Sequence, residues 1–148
     1  MTGKFPLQPL LDLANTRMDD AARRLGELIA SERSGQQKLE MLENYRAEYR
    51  ERFVTAARAG IGPDELRNYT AFINRIDDAI SAQHLVVEQS RNHTSQGQQL
   101  WMAQRNKVQA FDTLSQRHQK LQARNELRQE QRASDEHAAR QHLKRDSD

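Results

Sequence analysis

The apolar residues in the first half of the chain recur every three or four positions. Starting from Leu11, alternate steps of three and four reach fourteen positions, of which eleven are apolar. These are Leu11, Ala14, Met18, Ala21, Leu25, Leu28, Glu32, Gly35, Leu39, Leu42, Arg46, Tyr49, Phe53 and Ala56. A repeat of about 3.5 residues over such a length is typical of a coiled-coil seam. No alternation with period two occurs, so strands are disfavoured.

The stretch RAGIGPDEL, at 58–66, marks the end of the first helix. Gly60 can adopt the left-handed conformation that closes a helix. Pro63 suits the first position of the next helix, and Asp64 and Glu65 complement the dipole of its first turn. The sequence therefore predicts a first helix over about 9–58, a turn at 59–63 and a second helix from about 63 to 120 or beyond.

The second helix carries a matching row with a polar interruption. The row consists of Leu66, Tyr69, Ile73, Ile76, Ile80, Gln83, Val87, Trp101, Val108 and Phe111 and, after a shift in phase, Leu114, His118 and Leu121. Residues 90–99 are almost without apolar side chains. If the chain folds back at residue 61 or 62, paired residue numbers sum to about 123, and Glu32 faces Arg91. We expect weak packing at this height, because Glu32 and Gly35 interrupt the first row there.

Residues beyond about 118 have no predicted partner within the chain, because the first helix begins opposite residue 112 or so. This overhang, 118–148, is polar, and eight Arg or Lys against four Asp or Glu lie between Arg117 and Arg145. It is either a lone helix or disordered until bound. The predicted fold class is therefore all-α: a long two-stranded antiparallel coiled-coil hairpin, 1–148, as one domain with a partly disordered tail.

The composition fits a thin structure. Hydrophobic residues make up 36% of the 148 residues, below the roughly 45–50% of a typical globular domain. Cysteine is absent, which excludes disulfides and thiolate zinc sites and suits a reducing cytosol. The apolar runs are far shorter than the ~20 residues of a membrane-spanning helix, and no signal peptide is apparent at the N-terminus.

No set of residues predicts catalysis. The five histidines are not spaced as metal ligands with one another or with carboxylates. The pairs Asp19–Asp20 and Asp77–Asp78 diverge on a helix, because neighbouring residues do not share a face. No glycine-rich phosphate loop or nucleophile motif occurs, and two helices alone enclose no pocket. We therefore expect a protein that is not an enzyme and that uses no metal, cofactor or small-molecule substrate.

Near the predicted turn the chain has more apolar residues than one row needs. The excess forms two short stripes at the same level: Leu42, Tyr45 and Tyr49 on the first helix, and Phe72, Ile76 and Ala79 on the second. Of these, Tyr45, Phe72 and Ala79 fall outside the two rows. Two interpretations are open: the stripes widen the core, or they form an exposed patch that binds a protein partner.

An ordered series of segments resembles the FliJ family of flagellar export proteins. The segments are Phe5–Ala14, DDAARRLGEL at 19–28, LENYRAEYR at 42–50, NYTAFINRIDDAI at 68–80, Trp101, KVQAFDTLSQR at 107–117 and DEHA at 135–138. The resemblance covers nearly the whole chain. It implies a cytoplasmic stalk of the flagellar type III export apparatus, peripherally associated with the membrane, with a coiled coil similar to the γ subunit of rotary ATPases.

The resemblance also implies partners, namely the export ATPase FliI, the export-gate protein FlhA and export chaperones. The gate-binding patch of the family matches Leu42, Tyr45, Tyr49, Phe72, Ile76 and Ala79. This chain departs from the patch at its edges, where it has Lys38 and Gln83, with His84 next to the latter. By the same analogy, the residues expected to meet the ATPase ring are Leu10, Leu11, Arg124, Arg128 and Arg132.

Two other functions remain open. A stalk protein of a virulence-type secretion system shares the predicted architecture, although the segments above favour the flagellar version. A nucleic-acid-binding helical arm would use the basic overhang, which lacks the dense basic stripe and the stacking aromatic residues that nucleic acid favours.

Overall fold

The structure consists of two long helices, and the all-α fold class predicted from the sequence is confirmed. The computed structural model describes residues 3–147, with α1 spanning Gln8–Ala59 and α2 spanning Pro63–Ser147. No strand occurs within this described range. Contacts divide the chain into a turn unit, Asp20–Met102, and a terminal unit, the described residues of Met1–Asp19 and Ala103–Asp148. In each unit one stretch of α1 packs antiparallel to one stretch of α2. That the chain forms a single domain stays a prediction.

The turn is built around one glycine. Gly60 has a φ of 92°, a value that costs glycine nothing and that other residues rarely adopt. Its N–H donates to the carbonyl three residues earlier at 3.2 Å. Pro63 begins α2, and the N–H of Leu66 donates to the carbonyl of Gly62 at 3.0 Å. Residues 60–62 therefore connect the helices.

All fourteen positions of the row predicted on α1 are shielded: two are buried and twelve are half-buried. Apart from Asn15, every other residue of α1 is exposed. Along α1 the contact with α2 is therefore one row of side chains wide. For this reason no large side chain among the described residues is completely buried.

On α2 the row continues without the predicted shift in phase. Steps of three and four from Val87 reach only buried or half-buried residues: Ser90, Thr94, Gly97, Trp101, Gln104, Val108, Phe111, Ser115, His118 and Gln122. The assignment of Leu114 and Leu121 to the seam was wrong, because these side chains are 40% and 54% exposed. Leu66, assigned to the same row, is also exposed, at 45%. Small and polar residues maintain the heptad, so apolar content alone did not reveal it.

The polar stretch 90–99 brings the helices of the turn unit close together, so the expectation of weak packing there was wrong. Gly97 is buried, and a Cβ at this position would lie 2.6 Å from Cδ1 of Leu28. One turn earlier, Thr94 Oγ1 donates to the carbonyl of Ser90 at 3.0 Å and lies 3.4 Å from the carbonyl of Leu28. Small side chains thus allow the approach of the two helices here.

Polar contacts across the seam confirm the predicted register. Arg91 Nε lies 3.6 Å from a carboxylate oxygen of Glu32, the pair expected to face each other. The amide of the buried Gln83 donates to the carbonyl of Gly35 at 2.9 Å. This hydrogen bond satisfies one N–H of the buried side-chain amide of Gln83 inside the seam.

The terminal unit has a small core of its own. Its buried residues are Leu11, Ala14 and Val108, against which Phe5, Met18 and Phe111 pack. The segment before α1 crosses over α2: the carbonyl of Gly3 lies 2.9 Å from His118 Nε2, and the Phe5 ring lies 5.7 Å from the His118 ring. This segment shields α2 as far as Gln122.

Every residue from 123 to 147 is exposed, and all of them continue helix α2. Of the two interpretations of the overhang, the structure describes the lone helix. That the overhang is partly disordered by itself stays a prediction.

We predict that Gly97→Leu destabilises the chain by about 1–3 kcal/mol, because the new side chain must displace Leu28 from a tightly packed seam. Gly26→Leu is the matched control, since Gly26 is helical and a Cβ added there would meet nothing within 4 Å. It should stabilise the chain by about 0.5–1 kcal/mol through helix propensity. Urea unfolding followed by circular dichroism measures both, and equal effects would show that Gly97 is not a point of close approach.

Candidate protein-binding site

The two sides of the seam in the turn unit differ in chemistry. The seam residues occupy positions a and d of each heptad. In an antiparallel pair of helices, the g positions, which precede a, face each other along one side of the seam, and the e positions, which follow d, face each other along the other side. We call the first side the apolar flank; it carries Tyr45, Phe72, Ala79 and Val86, and Lys38 and Arg52 lie on it one heptad before and after Tyr45. We call the second side the ion-paired flank, with Glu43, Arg50, Asp77, His84 and Arg91.

The ion-paired flank is bridged by charged groups. Asp77 accepts a hydrogen bond from Arg46 at 2.9 Å, and its other oxygen lies 3.9 Å from Arg50. Glu43 lies 3.7 Å from Nε2 of His84. All of these groups are about one third exposed or more, so each pair contributes only about 0–1 kcal/mol to stability. Their main consequence is a hydrated side that does not favour an apolar partner.

The apolar flank is built on aromatic side chains. Phe72 of α2 lies between two tyrosines of α1, with ring centroids 6.0 Å from Tyr45 and 4.3 Å from Tyr49. Tyr69 continues the cluster towards the turn, at 5.4 Å from Tyr49 and 5.5 Å from Phe53. Pairs of this kind contribute about 0.5–1.5 kcal/mol each beyond their buried area. The cluster therefore holds the rings in place and leaves their outer edges open.

The six residues predicted for a gate-binding patch do not have one common environment. Tyr45, at 45% exposed, and Ala79 lie on the surface. Leu42, Tyr49 and Phe72 are half-buried. Ile76 is only 5% exposed and belongs to the seam, so it supports the others from beneath and offers a partner almost no surface.

The sequence-based prediction did not include two exposed apolar residues of the apolar flank. Met41 and Val86 are 60% and 46% exposed and lie on the same flank. Their spacing was available in the sequence, since Met41 precedes Tyr45 by four residues and Val86 follows Ala79 by seven. We call the resulting surface the apolar patch: Met41, Leu42, Tyr45, Tyr49, Phe72, Ala79 and Val86.

The residues predicted to meet an ATPase ring all lie in the terminal unit. Leu10 is 47% exposed, whereas Leu11 is 6% exposed and is part of the core. Arg124, Arg128 and Arg132 are exposed on the overhang. Leu11 therefore has a structural role in the packing of α1 against α2.

Within residues 3–147, no group of three or more histidine, aspartate or glutamate side chains is arranged to hold a metal ion.

Neither helix, over its described residues, has an apolar stretch long enough to cross a bilayer.

Comparison with known proteins decides the family. A family model described as flagellar FliJ protein matches residues 3–147. The chain belongs to the FliJ family. It is 33% identical to the flagellar FliJ protein of Salmonella typhi and 31% identical to that of Escherichia coli K12, in each case over 90% of this chain and 91% of the relative.

A solved structure shares the fold at greater evolutionary distance. The putative YscO homolog CT670 from Chlamydia trachomatis superposes with a TM-score of 0.68 and 19% identity, over 95% of this chain and 96% of that one. At this identity the likeness concerns the fold alone. Membership of the FliJ family identifies the chain as a component of flagellar, type III-like protein export.

The positions where this chain departs from the gate-binding patch implied by the FliJ resemblance differ in their surroundings. Gln83 is 7% exposed and bonds inside the seam, so it offers a partner almost no surface. His84 lies on the ion-paired flank beside Glu43. Lys38 is exposed. The surface that a partner could use at this level is therefore Val86 rather than Gln83.

We predict that Ile76→Ala destabilises the chain by about 2–5 kcal/mol, because it removes a buried side chain from the seam. Ala79→Ser, three residues later but exposed, should change stability by no more than about 0.5 kcal/mol. Urea unfolding of both variants tests the assignment. A small effect of Ile76→Ala would place this residue on the surface, contrary to the structure.

Proposed function

We propose that this chain is a coupling component of the flagellar type III export apparatus, linking the export ATPase FliI to the export-gate protein FlhA. It acts in the cytoplasm, associated peripherally with the membrane export apparatus, and assists the export of flagellar proteins with their chaperones. It performs this role through protein contacts and without catalysis of its own. Membership of the FliJ family supports the export role.

The apolar patch is the observation that carries the proposal. Of the gate-binding patch implied by the FliJ resemblance, Tyr45, Phe72 and Ala79 lie on the apolar flank, and the half-buried seam residues Leu42 and Tyr49 lie next to them. Exposed aromatic and aliphatic residues in one cluster are typical of protein-binding surfaces. No charged pair crosses the cluster among the described residues, whereas charged pairs bridge the opposite flank. The patch therefore binds FlhA in this proposal.

The terminal unit supplies the second contact. Arg124, Arg128 and Arg132 are spaced by four residues and lie on the surface, and Leu10 of the same unit is also exposed. Positive charge at an interface accelerates association with an acidic partner and fixes its orientation. We assign this region to FliI, without Leu11, whose side chain is buried.

A stalk of a virulence-type secretion system is the second candidate, and the fold likeness to the YscO homolog is the observation in its favour. The flagellar relatives, at 31–33% identity, are closer in sequence than that homolog, at 19%. The flagellar function is therefore preferred.

We predict that Ala79→Glu weakens binding to purified FlhA by at least about tenfold, because it introduces a charge into an apolar interface. Ala47→Glu is the matched control: it makes the same substitution at an exposed position, at nearly the same level of the turn unit, on the side of the ion-paired flank. Isothermal titration calorimetry with the full chain measures both affinities. Equal loss in the two variants, or no loss in either, would contradict the assignment of the patch.

We further predict that the combined change Arg124→Glu, Arg128→Glu and Arg132→Glu weakens binding to purified FliI by at least about tenfold at low salt, because it reverses the charge of the contact. Binding to FlhA should stay unchanged, since the patch lies in the other unit. Loss of both partners together would indicate misfolding, which circular dichroism detects, and retention of FliI binding would contradict the assignment.

A further inference from the structure

Charged residues on α2 of the terminal unit are sorted onto different sides of the helix. Steps of three and four lead along one row of exposed residues: Lys107, Ala110, Leu114, Arg117, Leu121, Arg124 and Arg128. Residues with this spacing share one helix face. The acidic residues between 103 and 132 are Asp112, Glu126 and Glu130, and none belongs to the row. This face, which we call the basic row, combines four cations with two leucines and no carboxylate.

Helix α1 completes the face with a groove. Leu10 and Leu13 are 47% and 44% exposed on α1. Together with Arg17 they approach Lys107 of the basic row across a groove of about 280 Å³, which has Ala14, Gln104 and Phe111 as its remaining lining. The groove therefore has apolar walls and a cation from each helix. Its volume is below the roughly 300–1,000 Å³ of small-molecule sites but suits inserted side chains.

The cations of this face lack acidic partners. Among residues 3–147, no ion pair involves Arg17, Lys107, Arg117, Arg124 or Arg128, whereas arginines of the turn unit pair with Asp77 and Glu32. The positive charge beside the groove is thus uncompensated within the described chain. An acidic partner would gain charge complementarity along the whole row.

We propose that this face binds an acidic amphipathic helix of a partner protein. The apolar side chains of that helix, spaced by three, four and seven residues, would enter the groove between Leu10, Leu13 and Phe111. Its carboxylates would meet Arg17 and Lys107 at the groove and the arginines farther along the basic row. The inference goes beyond the proposed function, because it specifies the chemistry of the occupant whichever protein supplies it.

Other occupants fit less well. A second copy of this chain cannot dock through α2 of the terminal unit, where Leu127 beside Glu126 and Glu130 has no large apolar residue three, four or seven positions away. Docking of a second copy through another surface would show as dimerisation in analytical ultracentrifugation that Leu13→Glu abolishes, and that result would overturn the inference. A bilayer is flat, whereas Leu10, Leu13 and Phe111 line a concave groove. The basic row contains no aromatic residue on which nucleic-acid bases could stack.

The test uses the full chain and a fluorescein-labelled peptide of about 18 residues, long enough to form a helix, with leucines at the stated spacing and glutamates on both sides of them. Fluorescence anisotropy measures its binding to the unchanged chain, to Leu13→Glu and to the double variant Lys107→Glu, Arg117→Glu. The matched control is Arg140→Glu, Lys144→Glu, which makes the same change in charge outside the basic row. Further probes are the same peptide with lysine in place of glutamate, vesicles of phosphatidylglycerol and phosphatidylcholine, and duplex DNA.

We expect the acidic peptide to bind the unchanged chain. Its affinity should fall at least about tenfold in Leu13→Glu and in the double variant Lys107→Glu, Arg117→Glu. In the control its affinity should fall less than about twofold. All altered positions are exposed, so the variants should keep their helical circular dichroism. No binding of the acidic peptide, equal binding of the lysine peptide, or an equal loss in the control overturns the inference. Preferential binding of vesicles or DNA overturns it in favour of a membrane or a nucleic acid.

The same variants separate this inference from the proposed function. If the peptide binds as expected and FliI does not bind the chain at all, the inference stands and the assignment of FliI to the terminal unit falls. If FliI binds through the arginines of the overhang and the peptide fails to bind, the proposed function stands and the inference falls.

Discussion

A seam only one row of side chains wide holds α1 and α2 together. Fourteen shielded positions on α1 meet a row on α2 in which glycine, serine, threonine and glutamine alternate with larger residues. Where Gly97 faces Leu28, the helices approach so closely that even a Cβ would have to displace the leucine. Since few side chains contribute to this contact, small residues at the right positions matter as much as large apolar ones.

The narrow seam leaves most of each helix on the surface, and the structure uses the two sides of the seam differently. In the turn unit one side is apolar and aromatic, and the other is bridged by pairs such as Arg46–Asp77. In the terminal unit one side carries leucines with uncompensated cations, and the carboxylates lie elsewhere on the helix. A protein with so little interior has little room for enclosed chemistry, and its surfaces are suited to binding other proteins.

The sequence predicted the features that depend on large apolar residues and on backbone constraints. The row on α1, the turn at Gly60 and the facing of Glu32 and Arg91 are of this kind. In the second half of the α2 row it predicted Trp101, Val108 and Phe111 but missed the positions between and beyond them, because Ser115 or Gln122 at a seam position has no hydropathy signal. Positions relative to the two rows also predicted burial: Tyr45 and Ala79, outside the rows, are exposed, whereas Ile76, inside the α2 row, is buried. That the patch binds a partner stays a prediction.

The close antiparallel approach of α1 and α2 can be measured directly, because the chain has no cysteine of its own. A Cβ at position 97 would lie 4.0 Å from Cα of Leu25, a distance compatible with a disulfide. In a chain carrying Leu28→Ala, which makes room for a side chain at position 97, the pair Leu25→Cys, Gly97→Cys should therefore form an intramolecular disulfide on mild oxidation, visible as a mobility shift of the monomer. Leu25→Cys, Ser90→Cys, displaced by one heptad, should not. Crosslinks only between molecules, or equal crosslinking of the two pairs, would contradict the seam on which the structure depends.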